Sequence, residues 1–110
     1  MQSDPAQETL AQRIRQGLTS HQDVREKNMF GGVAFMVDGR LTVSAGRDGD
    51  LLVCVDPADY RELLAAGGQP AFMGAGRPMG EGWINVPMDI IADDEALDWW
   101  IAVGRTSRRP

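Results

Sequence analysis

Val33-Ala34-Phe35-Met36-Val37-Asp38-Gly39-Arg40-Leu41-Thr42-Val43-Ser44-Ala45, followed after Gly46 by Arg47-Asp48-Gly49-Asp50 and Leu51-Leu52-Val53-Cys54-Val55, is the stretch that decides the fold. Asp38-Gly39 and Asp48-Gly49 are dipeptides that suit two-residue type I′ hairpin turns, where both central residues take positive φ. Taken literally, the first turn sets Val37 opposite Arg40, Met36 opposite Leu41, Phe35 opposite Thr42 and Ala34 opposite Val43. The second sets Arg47 opposite Asp50, Ala45 opposite Leu52 and Val43 opposite Cys54. Side chains alternate between the faces of a strand. This register therefore predicts a core face of Ala34, Met36, Leu41, Val43, Ala45, Leu52 and Cys54. The opposite face reads Val33, Phe35, Val37, Arg40, Thr42, Ser44, Leu51, Val53 and Val55. It is mixed, and more apolar than a solvated face requires.

Upstream, residues 1–8 read as a flexible polar lead. Leu10, Ile14 and Leu18 recur at four-residue spacing with Arg13, Arg15 and Gln16 between them, which predicts an amphipathic helix. Residues 21–28 form a polar connector, and Met29-Phe30-Gly31-Gly32 is a two-glycine break into the first strand. Downstream, Asp56-Pro57-Ala58-Asp59 is a helix start, with Asp56 as cap and proline at the first helical position. Tyr60, Leu63 and Leu64 supply the apolar stripe, and Gly67-Gly68 ends it. Between residues 69 and 91 the sequence predicts two short strands joined around Gly80-Glu81-Gly82, the second at residues 83–86. Asp93-Asp94-Glu95 opens a last helix over residues 96–103, closed by Gly104. The predicted architecture is α+β: two layers and an antiparallel sheet of about five strands, in the order α-β-β-β-α-β-β-α. One domain spans residues 9–104, with a basic tail at 105–110.

The bulk numbers agree with one globular domain. The chain has 110 residues, 43% hydrophobic and 25% charged, enough for an ordinary core. No apolar run approaches the roughly 20 residues a membrane-crossing helix needs. Met1 to Glu8 is unlike a signal peptide, and the lone Cys54 forms no internal disulfide, so the expected location is cytoplasmic. Net charge is −5, and three of the eleven basic residues (Arg105, Arg108, Arg109) lie in the last six positions, leaving eight against sixteen acidic side chains. A body of that sign repels phosphate backbones, which argues against direct nucleic-acid binding.

Residues for chemistry are scarce. A nucleophile needs a positioned base, but His21 is the only histidine and Cys54 falls in mid-strand, where burial makes a thiol inert. No catalytic, cofactor or metal site is predicted: one His and one Cys do not make a zinc site. Asp48/Asp50 and Asp93-Asp94-Glu95 sit at a turn and a helix start, where acids are expected anyway. Gly74-Ala75-Gly76 lacks the third glycine and the Lys-Ser/Thr of phosphate-binding loops. Arg77, within this glycine-rich loop, and the adjacent Trp99 and Trp100 remain as interaction candidates. Neighbouring tryptophans point about 100° apart on a helix, so both enter the core only on a wide stripe. Otherwise one of them joins a contact surface.

Residues ~15–104 resemble the TfoX N-terminal domain of the TfoX/Sxy family. The resemblance is carried by Met29-Phe30-Gly31-Gly32, the Asp38-Gly39 turn, residues 51–56 leading into a helix, Gly76-Arg77 with Met79, Val86-Pro87, and Leu97 with Trp100. It implies a two-layer α+β fold similar to YgaC-like and secretion-chaperone-like folds. It also implies a regulatory role, since members control competence genes together with a cyclic-AMP-responsive activator. Those regulators carry a second, C-terminal helical domain that is not seen before Pro110, and the resemblance brings no catalytic residues. The expected function is a non-enzymatic regulatory or protein-interaction domain with an unidentified protein partner. The surplus apolar sheet face implies either that the helices divide between both faces or that a second copy covers one of them, as a homodimer. The alternative is a small-ligand sensor or weak enzyme using a cleft near residues 72–83, with Arg77 or Tyr60 turned inward.

Overall fold

The computed structural model describes residues 5–19, 23–29, 32–46, 48–72 and 77–106. Among them are three helices and six strands: α1 (Pro5–Gly17), β1 (Val24–Met29), β2 (Gly32–Val37), β3 (Arg40–Ala45), β4 (Leu51–Cys54), α2 (Tyr60–Ala65, entered through a 3₁₀ turn at Pro57–Asp59), β5 (Gln69–Pro70), β6 (Trp83–Val86) and α3 (Asp94–Thr106). The sheet is antiparallel throughout, in the order β1-β2-β3-β4-β6-β5. All three helices contribute side chains to one apolar cluster with a single face of the sheet, giving the expected two-layer α+β fold.

The sheet has six strands, not five. Val24–Met29, which falls in the predicted connector but for Met29, pairs along its whole length with β2, from Val24 opposite Val37 to Met29 opposite Gly32. Its sequence, Val-Arg-Glu-Lys-Asn-Met, hides the strand because an edge strand pairs on one side only and carries charge that discourages further pairing. Of the two strands predicted after α2, β6 lies where expected. Its partner is the short β5, and residues 72 and 78 contribute only an isolated bridge.

The first hairpin turn is as read: Asp38 and Gly39 have φ of 54° and 80°, and Val37 faces Arg40 and Met36 faces Leu41. Beyond that pair the register slips by one. Phe35 faces Val43, so Thr42 is an extra residue in β3, a bulge. The second turn differs from its reading. Gly46 N–H donates to the Asp50 carbonyl at 2.9 Å, Gly49 N–H donates to the Gly46 carbonyl at 3.0 Å, and Gly49 has a φ of 85°. This is a three-residue connection with one left-handed glycine, not a two-residue turn. It places Ala45 opposite Leu51 and Val43 opposite Val53.

These two one-residue shifts exchange faces in β2 and β4. The core face is Phe35, Val37, Val43, Ala45, Leu51, Val53 and Val55, joined by Ile84 and Val86, all 6% exposed or less. Val43 and Ala45 point inward as predicted. Ala34, Met36, Leu41, Leu52 and Cys54 do not: they lie on the far face.

Local signals seat the helices on this core. α1 buries Leu10, Ala11 and Ile14, begins at Pro5, and carries Gln7, whose Nε2 donates to the Ala45 carbonyl at 3.0 Å. Asp56 accepts from Ala58 N–H at 3.0 Å, so the predicted cap holds. Gly67 (φ 116°) closes α2, with Gly68 N–H on the Leu63 carbonyl and Gly67 N–H on that of Leu64, a Schellman ending. Asp93 accepts from Glu95 N–H at 3.1 Å and caps α3, which runs past Gly104 to Thr106. Arg13 ties α1 to the entry of α3 through the Ile91 carbonyl at 2.7 Å and Asp94 at 3.0 Å.

Candidate functional site

The residues singled out in the sequence fall in separate places. Gly32 opens β2 opposite Met29. A methyl group on Gly32 would lie 2.8 Å from both the Ala45 carbonyl oxygen and Ser44 Oγ, so this motif glycine serves a close approach of strands. Phe30 and Gly31 lie outside the described residues, as does the Met29 side chain. Arg77 is exposed at the base of a loop whose sides meet through the Phe72–Pro78 bridge and the Met79 N–H to Ala71 carbonyl hydrogen bond at 2.9 Å. Phe72, on the same loop, is 57% exposed. Residues 73–76 lie outside the description, and Tyr60 packs, half-buried, against the core cluster.

The tryptophan pair separates. Trp100 is 2% exposed in the core, whereas Trp99 is 50% exposed. Their rings meet edge to face at 4.9 Å and 90°, so the buried indole braces the outer one. Trp99 walls a cleft of about 250 Å³ between α2 and α3, shared with Leu63, Val103 and Thr106 and with the carboxyl-bearing Asp56, Asp59 and Glu62. Asp56 is engaged as the helix cap; Asp59 makes no side-chain cap hydrogen bond. Two further clefts are lined by described residues. One lies beside the first hairpin, between Asp38, Arg40 and Arg105; the other lies where Pro5, Leu10 and Met88 meet.

The far face of the sheet is the second surface. Residues paired across strands share a face, which sets Arg25, Lys27, Ala34, Met36, Leu41, Ser44, Leu52, Cys54, Trp83 and Asn85 together. Ala34, Ser44 and Cys54 are buried, while Met36, Leu41, Leu52 and Trp83 are half-buried and stand outside the core cluster. Among the described residues no helix covers this face. The surplus apolar face of the sequence reading, Val33, Phe35, Val37, Leu51, Val53 and Val55, is instead the side beneath the helices. The side with no described helix over it carries Ala34, Met36, Leu41, Leu52 and Cys54.

One ion pair dominates the described electrostatics. Arg15 on α1 grips both carboxylate oxygens of Glu26 on β1 at 2.5 and 2.7 Å. That hydrogen bonding holds the Glu26 carboxyl below its ordinary value of 4.5 and raises Arg15 above its own. The pair fastens an edge strand to a helix and lines none of the three clefts.

The sequence reading missed the joining of Trp99 with the acids of residues 56–62. A signal was present in the spacing of Trp99, Val103 and Thr106, four and three residues apart and so on one face of α3. Asp56 and Asp59 were read only as parts of a helix start, and Glu62 was not singled out.

Among the described residues, no helix is long and apolar enough to cross a membrane. Neither a curated protein nor a solved structure matches the chain. The sequence model of the TfoX N-terminal domain matches residues 16–105, which spans the fold from the end of α1 through α3. The motif Met29-Phe30-Gly31-Gly32, the type I′ turn at Asp38-Gly39 and the capped helices all lie inside that span, and the chain belongs to the TfoX N-terminal domain family.

Proposed function

We propose that this domain is a non-enzymatic, regulatory protein-interaction module, and that the uncovered face of its sheet joins a second copy of the chain. The observation that carries this is the one-sided placement of the helices. α1, α2 and α3 share a single core with one face, while the other carries the half-buried Met36, Leu41, Leu52 and Trp83 with no helix over them among the described residues. Antiparallel sheets tolerate a solvated face, but such a face is ordinarily polar. Apolar side chains gathered on one surface mark a contact site.

Light scattering on the purified chain at micromolar concentration tests the proposal. The expected result is twice the 12.0 kDa chain mass, returning to a single chain mass in Leu52→Lys, whose charge would be buried in the joint. A wild-type protein of single-chain mass throughout refutes pairing.

A further inference from the structure

We infer that the cleft between α2 and α3 is a receptor for an arginine-bearing basic segment of a partner protein. Its floor is apolar, made by Leu63, Val103 and the half-exposed indole of Trp99, and its rim carries the carboxylates of Asp56, Asp59 and Glu62. About 250 Å³ of space accommodates one long side chain rather than a folded surface. Its chemistry selects that side chain. An indole face attracts a cation, a guanidinium above all, since it stacks flat on the ring while its N–H groups reach carboxylates at the side. An apolar stem fits the floor at the same time.

The charges of this rim are available. Four other acids, Glu8, Asp23, Glu26 and Asp94, are engaged in ion pairs within the chain. Asp59 and Glu62 make no ion pair among the described residues. The indole is preorganised, because Trp100 beneath it is locked in the core and meets it edge to face. The net charge of −5 draws a basic segment toward the domain before contact. The cleft lies on the helical side, away from the uncovered sheet face, so it can be filled in either a single chain or a pair.

A fluorescein-labelled hexa-arginine peptide, with its hexa-glutamine counterpart, provides the test by anisotropy at low salt. The wild type is expected to bind the arginine peptide and not the glutamine one. Trp99→Ala, and separately Asp59→Asn with Glu62→Gln, should each weaken binding by about tenfold. Asp48→Asn with Asp89→Asn removes the same charge elsewhere and should weaken it by less than about twofold. The indole N–H signal in an ¹⁵N-labelled sample, assigned to Trp99 by its loss in Trp99→Ala, should shift on titration. Equal losses in the two carboxylate pairs, together with an unmoved Trp99 signal, would mean general charge attraction and overturn the assignment. A chain shortened after Thr106 provides the last arm. If it binds the peptide several-fold more tightly, then Arg108 and Arg109 of the same chain are the occupant, and the partner assignment fails. If it binds equally, the partner assignment stands.

Discussion

Replacing Gly104 by alanine is expected to destabilise the protein, although a helix interior ordinarily gains about 1 kcal/mol from that exchange. Gly104 is buried where α3 rests on the bulge of β3. A methyl group there would lie 2.6 Å from the Thr42 carbonyl oxygen, 3.0 Å from Thr42 Cγ2 and 3.1 Å from Val43 Cγ1. The nearest atom belongs to the backbone and cannot swing aside, so helix and sheet must separate by several tenths of an ångström. Forced overpacking of this kind costs about 1–3 kcal/mol, and a backbone contact belongs in the upper half. After the helical gain, the net loss is about 1–2 kcal/mol, a fall in Tm of about 5–10 °C for a chain of this size. Gly17→Ala is the matched control. Its methyl group would meet Asp98 Oδ1 at 3.2 Å and Ile101 Cδ1 at 3.4 Å, both side-chain ends that can move, so it should be neutral or gain about 0.5 kcal/mol. Urea unfolding followed by tryptophan fluorescence reads both variants. A Gly104→Ala protein as stable as the wild type would refute the claim that this glycine sets the spacing of helix and sheet.

Two further outcomes test the assignment of faces and of charge. Phe35→Ala should cost about 3–5 kcal/mol because Phe35 is fully buried beneath the helices. Its neighbour Met36→Ala, on the uncovered face, should cost under about 1 kcal/mol in the isolated chain; equal losses would sink the register. The Arg15–Glu26 pair depresses the Glu26 pKa, so its stabilisation is present above the ordinary value of 4.5 and fades as pH falls through the lowered folded value. With side chains 40% and 35% exposed, solvent screening leaves about 0.5 kcal/mol. Thermal melts should show the wild type ahead of Glu26→Gln at neutral pH, with the gap closing in acid. A gap that widened in acid would reverse the sign.

What was legible in the chain was what short-range chemistry dictates. Asp56 and Asp93 act as caps, Gly67 ends its helix, Asp38-Gly39 makes its turn, and Leu10, Ile14 and Leu18 face the core. The faces of β2 and β4 were not legible, because both alternations are apolar there. Ala34 and Met36 look as suitable for burial as Phe35 and Val37, and Leu52 and Cys54 as suitable as Leu51 and Val53. Hydrophobic pattern cannot choose between two such frames, and turn geometry does. An extra residue at Thr42 and a three-residue loop at Gly49 are single-residue events that a dipeptide motif does not announce. The interaction surfaces were half visible. Trp99 could be suspected from its neighbour, but the acids that meet it stand some forty positions earlier, and only the packing of α2 beside α3 brings them there.

The two borders of the sheet bear on how copies of this domain can gather. β1 is an edge strand carrying Arg25, Glu26 and Lys27, and β5 is two residues long and ends in Pro70, which has no N–H to donate. Charge on one border and brevity with a proline on the other discourage the addition of another strand, which opposes sideways growth of the sheet from molecule to molecule. Stacking through a flat side is self-limiting, because each chain has one such side and a pair uses both. Any assembly made this way closes at two.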